Sequence, residues 1–248
     1  MSRVVAFRDV SYEIAGKLVL RNLSFEVAAG ETLVLLGRSG SGKTTALKMV
    51  NRLLEPTVGQ VVVGDAATTA WDPIRLRRRI GYVIQEVGLF PHFTVTANVG
   101  LVPALEGWDG SRVARRVREL LESVGLEPEE YGGRYPRELS GGERQRVGVA
   151  RALAADPDFL LFDEPFGALD PVTRREVQGQ FLELRRSFGK TALFVTHDIH
   201  EALAIGSRIG LLHKGRLEFI GTPEEFLAAE TTEARAFLAC LVPGVGSR

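Results

Sequence analysis

"ETLVLLGRSGSGKTTALKMVNRLL", Glu31–Leu54, decides how the rest of the chain is read. It begins as a short uninterrupted apolar run, the pattern of a strand buried on both faces. Gly37–Thr44, "GRSGSGKT", then fits G-x-x-x-x-G-K-[ST] in full. Glycines at these positions let the backbone curl so that successive N–H groups face one point, and the following helix N-terminus adds partial positive charge there. Gly37, Arg38, Ser39, Gly40, Ser41, Gly42, Lys43, Thr44 and Thr45 are therefore the candidate phosphate cradle. Lys43 is placed to reach the β- and γ-phosphates of a nucleotide and Thr44 to put its hydroxyl on Mg²⁺. The pattern predicts a helix from Lys43 to about Leu54, completing a strand–loop–helix unit.

Working outward, the first 30 residues read as short alternating runs, "VVAFRDVSYEI" and "LVLRNLSFEV", joined by polar turns, which predicts an antiparallel sheet. "FLLFD" from Phe159 and "TALFVTH" from Thr191 alternate with helical segments, as buried parallel strands do. A helix is expected from Pro171 to Gly189, with Asp170 as N-cap and Pro171 at its first position. Between about 93 and 155 helical patterning dominates, as in "RVARRVRELLESVG", so a helical lobe inserted in an α/β core is expected. Past Ile220 the chain predicts one short helix, "PEEFLAAE", and a weakly patterned tail over about 221–248.

The balance of 31 basic and 31 acidic residues argues against a general nucleic-acid binder. The run Arg75, Arg77, Arg78, Arg79 reads as a solvated face. Cys240 is the single cysteine, which rules out an internal disulfide framework and fits a reducing compartment. No stretch is apolar enough to span a bilayer and the N-terminus lacks a signal-peptide core, so a cytoplasmic protein is expected, seated against a membrane partner if it has one.

Two further motifs carry chemistry. "LLFDE" ends a strand with adjacent acids, which strand alternation would send in different directions. Asp163 is assigned to the metal and Glu164 to the general base that faces the attacking water. In "LSGGERQRV", Leu139–Val147, Ser140 is placed as an N-cap while Gly141 and Gly142 leave the backbone open, making a second anion-binding helix start. One nucleotide does not need two such loops from one chain. A head-to-tail homodimer resolves this, each serine-glycine turn closing over the γ-phosphate held by the other chain, with ATP as the glue.

Taken in order, "GRSGSGKT", Gln85, "LSGGERQ", "LLFDE", "GALD" and His197 resemble the ATP-binding-cassette (ABC) ATPases, from about Arg3 to Ile220. The resemblance implies an α/β fold, a P-loop NTPase core with an N-terminal antiparallel β subdomain and an inserted helical subdomain. It also implies a single nucleotide-binding domain over 1–248, with ATP and Mg²⁺ as cofactors. In the family's terms Gln85 meets Mg²⁺ and the attacking water and relays occupancy to the helical lobe. Asp170 looks like the aspartate at the dimer interface, and His197 the contact to the γ-phosphate. One position departs from the pattern: where members usually stack an aromatic ring on adenine this chain has Ile14, with Tyr12 two residues away as a substitute if the strand slips or bends.

"LKMVNRLLEPTVG", "LRRRIGYVIQEVGLFPHFTV" and "ANVGLVPALEGW" look like the ATPase subunits of glycine betaine, choline and related osmoprotectant importers. That resemblance implies a polytopic membrane permease as partner, a solute-binding protein acting indirectly, and a place on the inner face of the cell membrane. Phe90, Pro91, His92 and Phe93 are then expected to dock a permease coupling helix; the competing expectation is that both phenylalanines fill the helical core. The stretch after Ile220 is too short for the paired CBS domains of larger osmoprotectant ATPases. A lipid-trafficking cassette, another non-osmolyte transporter and a soluble non-transport ABC ATPase fit the same motifs less well.

Overall fold

The computed structural model describes residues 3–85, 87–167 and 169–241. Residues 242–248 of the expected tail, and Ala168 within "GALD", lie outside the described residues. The chain divides into two compact units, one formed by residues 1–73 and 191–248, the other by 74–190.

In the first unit β1 (Arg3–Ile14) pairs antiparallel with β2 (Lys17–Ala28), Phe7 facing Phe25 with rings stacked at 4.4 Å. β3 (Thr32–Leu36) is buried along its whole length and leads into the glycine loop and α1 (Lys43–Val50). The helix is one turn shorter than the sequence pattern predicts. Arg52 adopts φ 53, and Leu53 N and Arg52 N donate back to Lys48 O and Met49 O, so a left-handed residue closes the helix before Leu54. β4 (Val58–Val63) pairs antiparallel with β1 and with the two-residue β5 (Ala66–Ala67).

α2 (Pro73–Arg78) begins at the boundary of the second unit. There β6 (Ile80–Val83) runs parallel to β7 (Phe159–Asp163), Tyr82 beside Leu161. Between them the described residues form helices and no strand: α3 (Val95–Leu105), α4 (Gly110–Ser123), α5 (Pro128–Tyr131) and α6 (Gly141–Leu153), with one 3₁₀ turn at Pro136–Glu138. α7 (Pro171–Phe188) follows β7 and packs Phe181 edge-on against Phe162 and Phe166. Arg78 and Arg79 of the basic run pair with Glu106 and Asp158.

Back in the first unit, β8 (Thr191–Thr196) lies parallel to β3, Val34 beside Phe194. After α8 (Ile199–Ile205), β9 (Arg208–His213) flanks the other edge of β3, also parallel, and β10 (Arg216–Gly221) returns antiparallel to β9. Leu33, Val34, Leu35, Leu36, Phe194 and Leu211 are fully buried, each contributing about 1.5–3 kcal/mol of burial that fixes where β3 delivers the loop. α9 (Pro223–Leu227) is the short helix expected after Ile220. The tail beyond it is not featureless: α10 (Thr232–Leu238) is capped by Thr231 and buries Ala234 and Phe237. Its pattern is too short for periodicity to show, and its docking is a tertiary contact. No described helix is long and apolar enough to cross a membrane.

Candidate functional site

The glycine loop is shaped by two left-handed residues, Gly40 at φ 77 and Gly42 at φ 106, conformations that a side chain would strain. Gly37 is fixed for a different reason: a Cβ there would stand 2.3 Å from the Leu212 backbone oxygen. Lys43, the first residue of α1, is buried, and its Nζ donates to Gly37 O at 2.8 Å and Arg38 O at 3.1 Å. The ammonium thus sits folded across the mouth of its own loop. Ser41 Oγ is buried with no hydrogen-bond partner among the described residues. Thr44 and Thr45 are half-buried in the first turn of α1. A curled loop, a helix N-terminus and a cationic Nζ converge on one side, which is what a phosphate chain requires.

The strand that carries Tyr12 and Ile14 belongs to the same unit. Tyr12 pairs with Leu20, and Leu20 Cδ2 would lie 2.6 Å from a Cβ on Gly42. Register shifts fall on both sides of Tyr12, so the strand is bent there. Tyr12 is half-buried, whereas Ile14 is 55% exposed.

His197 is exposed directly after the fully buried β8. Its neighbours are pinned on both sides. Thr196 Oγ1 donates to the buried Glu201 Oε2 at 2.5 Å and accepts from Asp198 N at 3.0 Å, while Asp198 caps α8 by accepting from His200 N. Sequence reading passed over Glu201, although an acid in the mostly apolar "IHEALAI" is a usable signal.

In the second unit β7 ends at Asp163, and Glu164 turns away at φ 45. Glu164 thus lies just past the end of β7 in a left-handed conformation, so the alternation of the strand does not extend to it. A non-glycine residue held there is strained by about 1–3 kcal/mol, a feature that clusters at functional sites. Asp163 is buried, and Tyr82 Oη on the neighbouring strand donates to its Oδ2 at 3.3 Å. Burial, then the Asp163 charge, push the Tyr82 pKa above its ordinary value, so the phenol keeps its proton and stays a donor. Gln85 Nε2 would lie 3.8 Å from a Cβ on Gly167, Glu164 Cβ 4.0 Å from it, and Gly167 N donates to Glu164 O. Gln85, Glu164 and the Gly167 turn thus sit together.

The serine-glycine turn is built as its sequence predicts. Ser140 Oγ accepts from Glu143 N at 3.2 Å and Ser140 N donates to Glu143 Oε2 at 2.6 Å, a reciprocal capping box that starts α6. Gly142 is required because a Cβ would meet Thr173 Cγ2 at 2.6 Å; Gly141 lies beside Leu169 and is exposed. Asp170 Oδ1 caps α7 by accepting from Val172 N and Thr173 N, and the Thr173 hydrogen bonds hold its carboxyl below the usual carboxylate range. The turn at 140–142 and the 169–173 cap therefore share one surface.

The model of the ABC transporter family matches residues 20–167. The chain is 48% identical over 218 residues to the glycine betaine/carnitine/choline transport ATP-binding protein OpuCA of Bacillus subtilis, covering 88% of this chain and 57% of that one. It is 49% identical over 212 residues to the osmoprotectant import ATP-binding protein OsmV of Salmonella typhimurium, covering 86% and 56%. It thus spans a little over half the length of these curated relatives. Among solved structures, a dimeric ATP-binding cassette in a post-hydrolysis state bound to ADP and Pi matches with TM-score 0.78 at 34% identity, covering 88% of this chain and 98% of that one. CbiO1 of Clostridium perfringens, part of an ABC transporter complex, matches with TM-score 0.83 at 25% identity, over 92% of each chain. The α/β arrangement, with its antiparallel N-terminal sheet and run of helices, is that of the ABC ATPases, and the chain belongs to the ABC transporter family.

Proposed function

We propose that the chain is the ATP-hydrolysing subunit of an importer for osmoprotectants such as glycine betaine or choline. In this reading it is one nucleotide-binding domain with a helical subdomain at about 93–155. It works as a head-to-tail homodimer beneath a polytopic permease at the inner face of the cell membrane and is fed by a solute-binding protein. The observation that carries the ATPase half is Lys43 Nζ poised over Gly37 and Arg38 at the start of α1. The importer half is supported by 48–49% identity to the ATP-binding proteins of glycine betaine, carnitine, choline and osmoprotectant transport.

Within this reading the loop amides and Lys43 bind the β- and γ-phosphates. Thr44, Gln85 and Asp163 offer hydroxyl, amide and carboxylate oxygens, a hard donor set that fits Mg²⁺. When bound, Mg²⁺ supplies charge neutralisation on the phosphate oxygens. Glu164 takes the proton of the attacking water, Gln85 orients that water, and His197 donates to the γ-phosphate. Ser140, Gly141 and Gly142 of the partner copy close the site, with Asp170 at the dimer contact. Phe90, whose ring lies 5.3 Å from that of Phe93, borders an open groove of about 390 Å³ beside Ile84, Leu101, Val102, Arg77, Arg78 and Arg151, a place where a permease coupling helix would dock.

The test is Glu164→Gln, which removes the base and lowers kcat by about 10²–10⁴-fold while ATP still binds. Tagged Glu164→Gln protein, extracted from the source organism's membranes with MgATP, is expected as a dimer bound to a polytopic permease. Recovery of soluble partners alone overturns the importer reading, and a monomer by light scattering overturns the ATP-closed dimer.

A further inference from the structure

The C-terminal helix α10 reaches the phosphate loop. Glu233, in its first turn, is only 9% exposed at the side chain, and its Oε1 accepts from Arg38 Nε at 2.6 Å. Its other oxygen lies 3.4 Å from His213 Nδ1 at the end of β9. Arg38 is the second residue of the loop, and its backbone does separate work: Arg38 O accepts from Lys43 Nζ at 3.1 Å and from Ser41 N at 3.2 Å. The residue that ties down the Lys43 ammonium through its carbonyl is therefore tied to α10 through its side chain. β9 closes the other flank, where Leu212 O leaves no room for a Cβ on Gly37.

A buried carboxylate is costly unless paired, and docking of a seven-residue helix onto an apolar surface is served as well by an apolar residue. Both polar partners of Glu233, Arg38 and His213, belong to segments that frame the loop. Each loop residue left free must lose backbone entropy to be ordered when a ligand arrives. A tether that holds Arg38 beforehand reduces that cost, and it also keeps the Arg38 guanidinium off the phosphates.

We propose that Glu233 is a positioning residue for the nucleotide: through Arg38 it holds the front half of the phosphate loop in its receiving form, making α10 a working part of the site. The proposal rests on the reading of this loop as an ATP site. It is tested by a double-mutant cycle on the full chain with Glu233→Gln, Arg38→Ala and the double variant, measuring ATP hydrolysis and displacement of a fluorescent ADP. Glu233→Gln raises the KM for ATP and the ADP dissociation constant about fivefold, the upper end for a partly exposed pair, and kcat moves far less. In the Arg38→Ala background the same change has no further effect, because the lever is already gone.

An unchanged KM in folded Glu233→Gln protein, or an equal rise in both backgrounds, overturns the proposal. Should Glu233→Gln not fold, by its thermal melt, Glu233→Asp replaces it in the same cycle with the same expectations. Wild-type protein that neither binds nor hydrolyses nucleotide overturns the ATP-site reading itself, an outcome distinct from an active wild type whose Glu233 variants match it.

Discussion

Arg151, near the end of the helix that Ser140 begins, donates from Nη2 to the Val87 carbonyl at 2.6 Å and from Nη1 to the Gly88 carbonyl at 2.8 Å. Val87 needs that hold. A β-branched residue at φ 54 is a backbone outlier, and its Cγ1 would lie 2.5 Å from a Cβ on Gly148. Burial lowers the pKa of the Arg151 guanidinium below its ordinary value, the desolvation that these two hydrogen bonds offset. Arg151→Ala leaves two carbonyls without their donor and is expected to destabilise the chain by about 2–4 kcal/mol. Urea unfolding measures this; a loss below about 0.5 kcal/mol, ordinary for a surface change, shows that the strained turn holds itself.

The Tyr82–Asp163 bond makes a prediction about pH. The Tyr82 pKa is raised in the folded protein, so the stability it lends is complete below the unfolded value of about 10 and is lost as pH rises through the folded value. An alkaline titration followed by tyrosinate absorbance should show a late-ionising component that disappears in Tyr82→Phe. The same variant leaves Asp163 short of a donor and should raise the Mg²⁺ concentration needed for half-maximal hydrolysis. Identical titration curves for the two proteins refute the contact.

Asn98 is fully buried and holds the segment that carries the exposed aromatic tip. Its Oδ1 accepts from Phe90 N, and its Nδ2 donates to the carbonyls of Phe90, Phe93 and Thr94 at 3.0–3.2 Å. Phe90 itself is 41% exposed, which counts against the expectation that it fills the helical core. Asn98→Ala should cost about 2–4 kcal/mol, since it strands buried backbone groups. Phe90→Ala/Phe93→Ala should cost far less and instead uncouple transport from ATP hydrolysis in reconstituted vesicles. Unfolding of the double variant would restore the core-filling reading.

What was legible in the sequence was local. Glycines at fixed offsets announced the phosphate loop, Ser140 with Glu143 announced a helix start, and unbroken apolar runs announced β3, β7 and β8. These depend on backbone conformation and nearest neighbours, which a linear pattern records. Arg38–Glu233, Tyr82–Asp163 and Arg151–Val87 join residues far apart in the chain, and nothing in the spacing of either partner marks the other. The early stop of α1 was missed for a subtler reason, because Arg52 takes a left-handed conformation more often given to glycine or asparagine. A buried polar residue in a largely apolar helix, as at Asn98 and Glu201, is the signal that the linear pattern offers but does not decide.

Base selectivity follows from the bend in β1. At the position where an aromatic ring is expected, Ile14 offers no π-face and is largely exposed, so stacking worth about 1 kcal/mol or more per base is reduced to apolar contact. Tyr12 is the nearest ring; the irregular register on both sides of it is the kind of bend that could turn it toward the base, yet it remains half-buried against its own sheet. In the proposed ATP site the phosphates, not the base, would supply most of the affinity, because Lys43, the loop amides and the helix start would act on any nucleoside triphosphate. ATP and GTP should compete with affinities within about tenfold of each other, a difference of about 1.4 kcal/mol. Tyr12→Ala should narrow the gap if the ring supplies what remains of stacking, whereas Ile14→Ala should leave it unchanged. A tenfold or larger preference for ATP in the wild type, abolished by Tyr12→Ala, would instead make Tyr12 a full replacement for the missing aromatic.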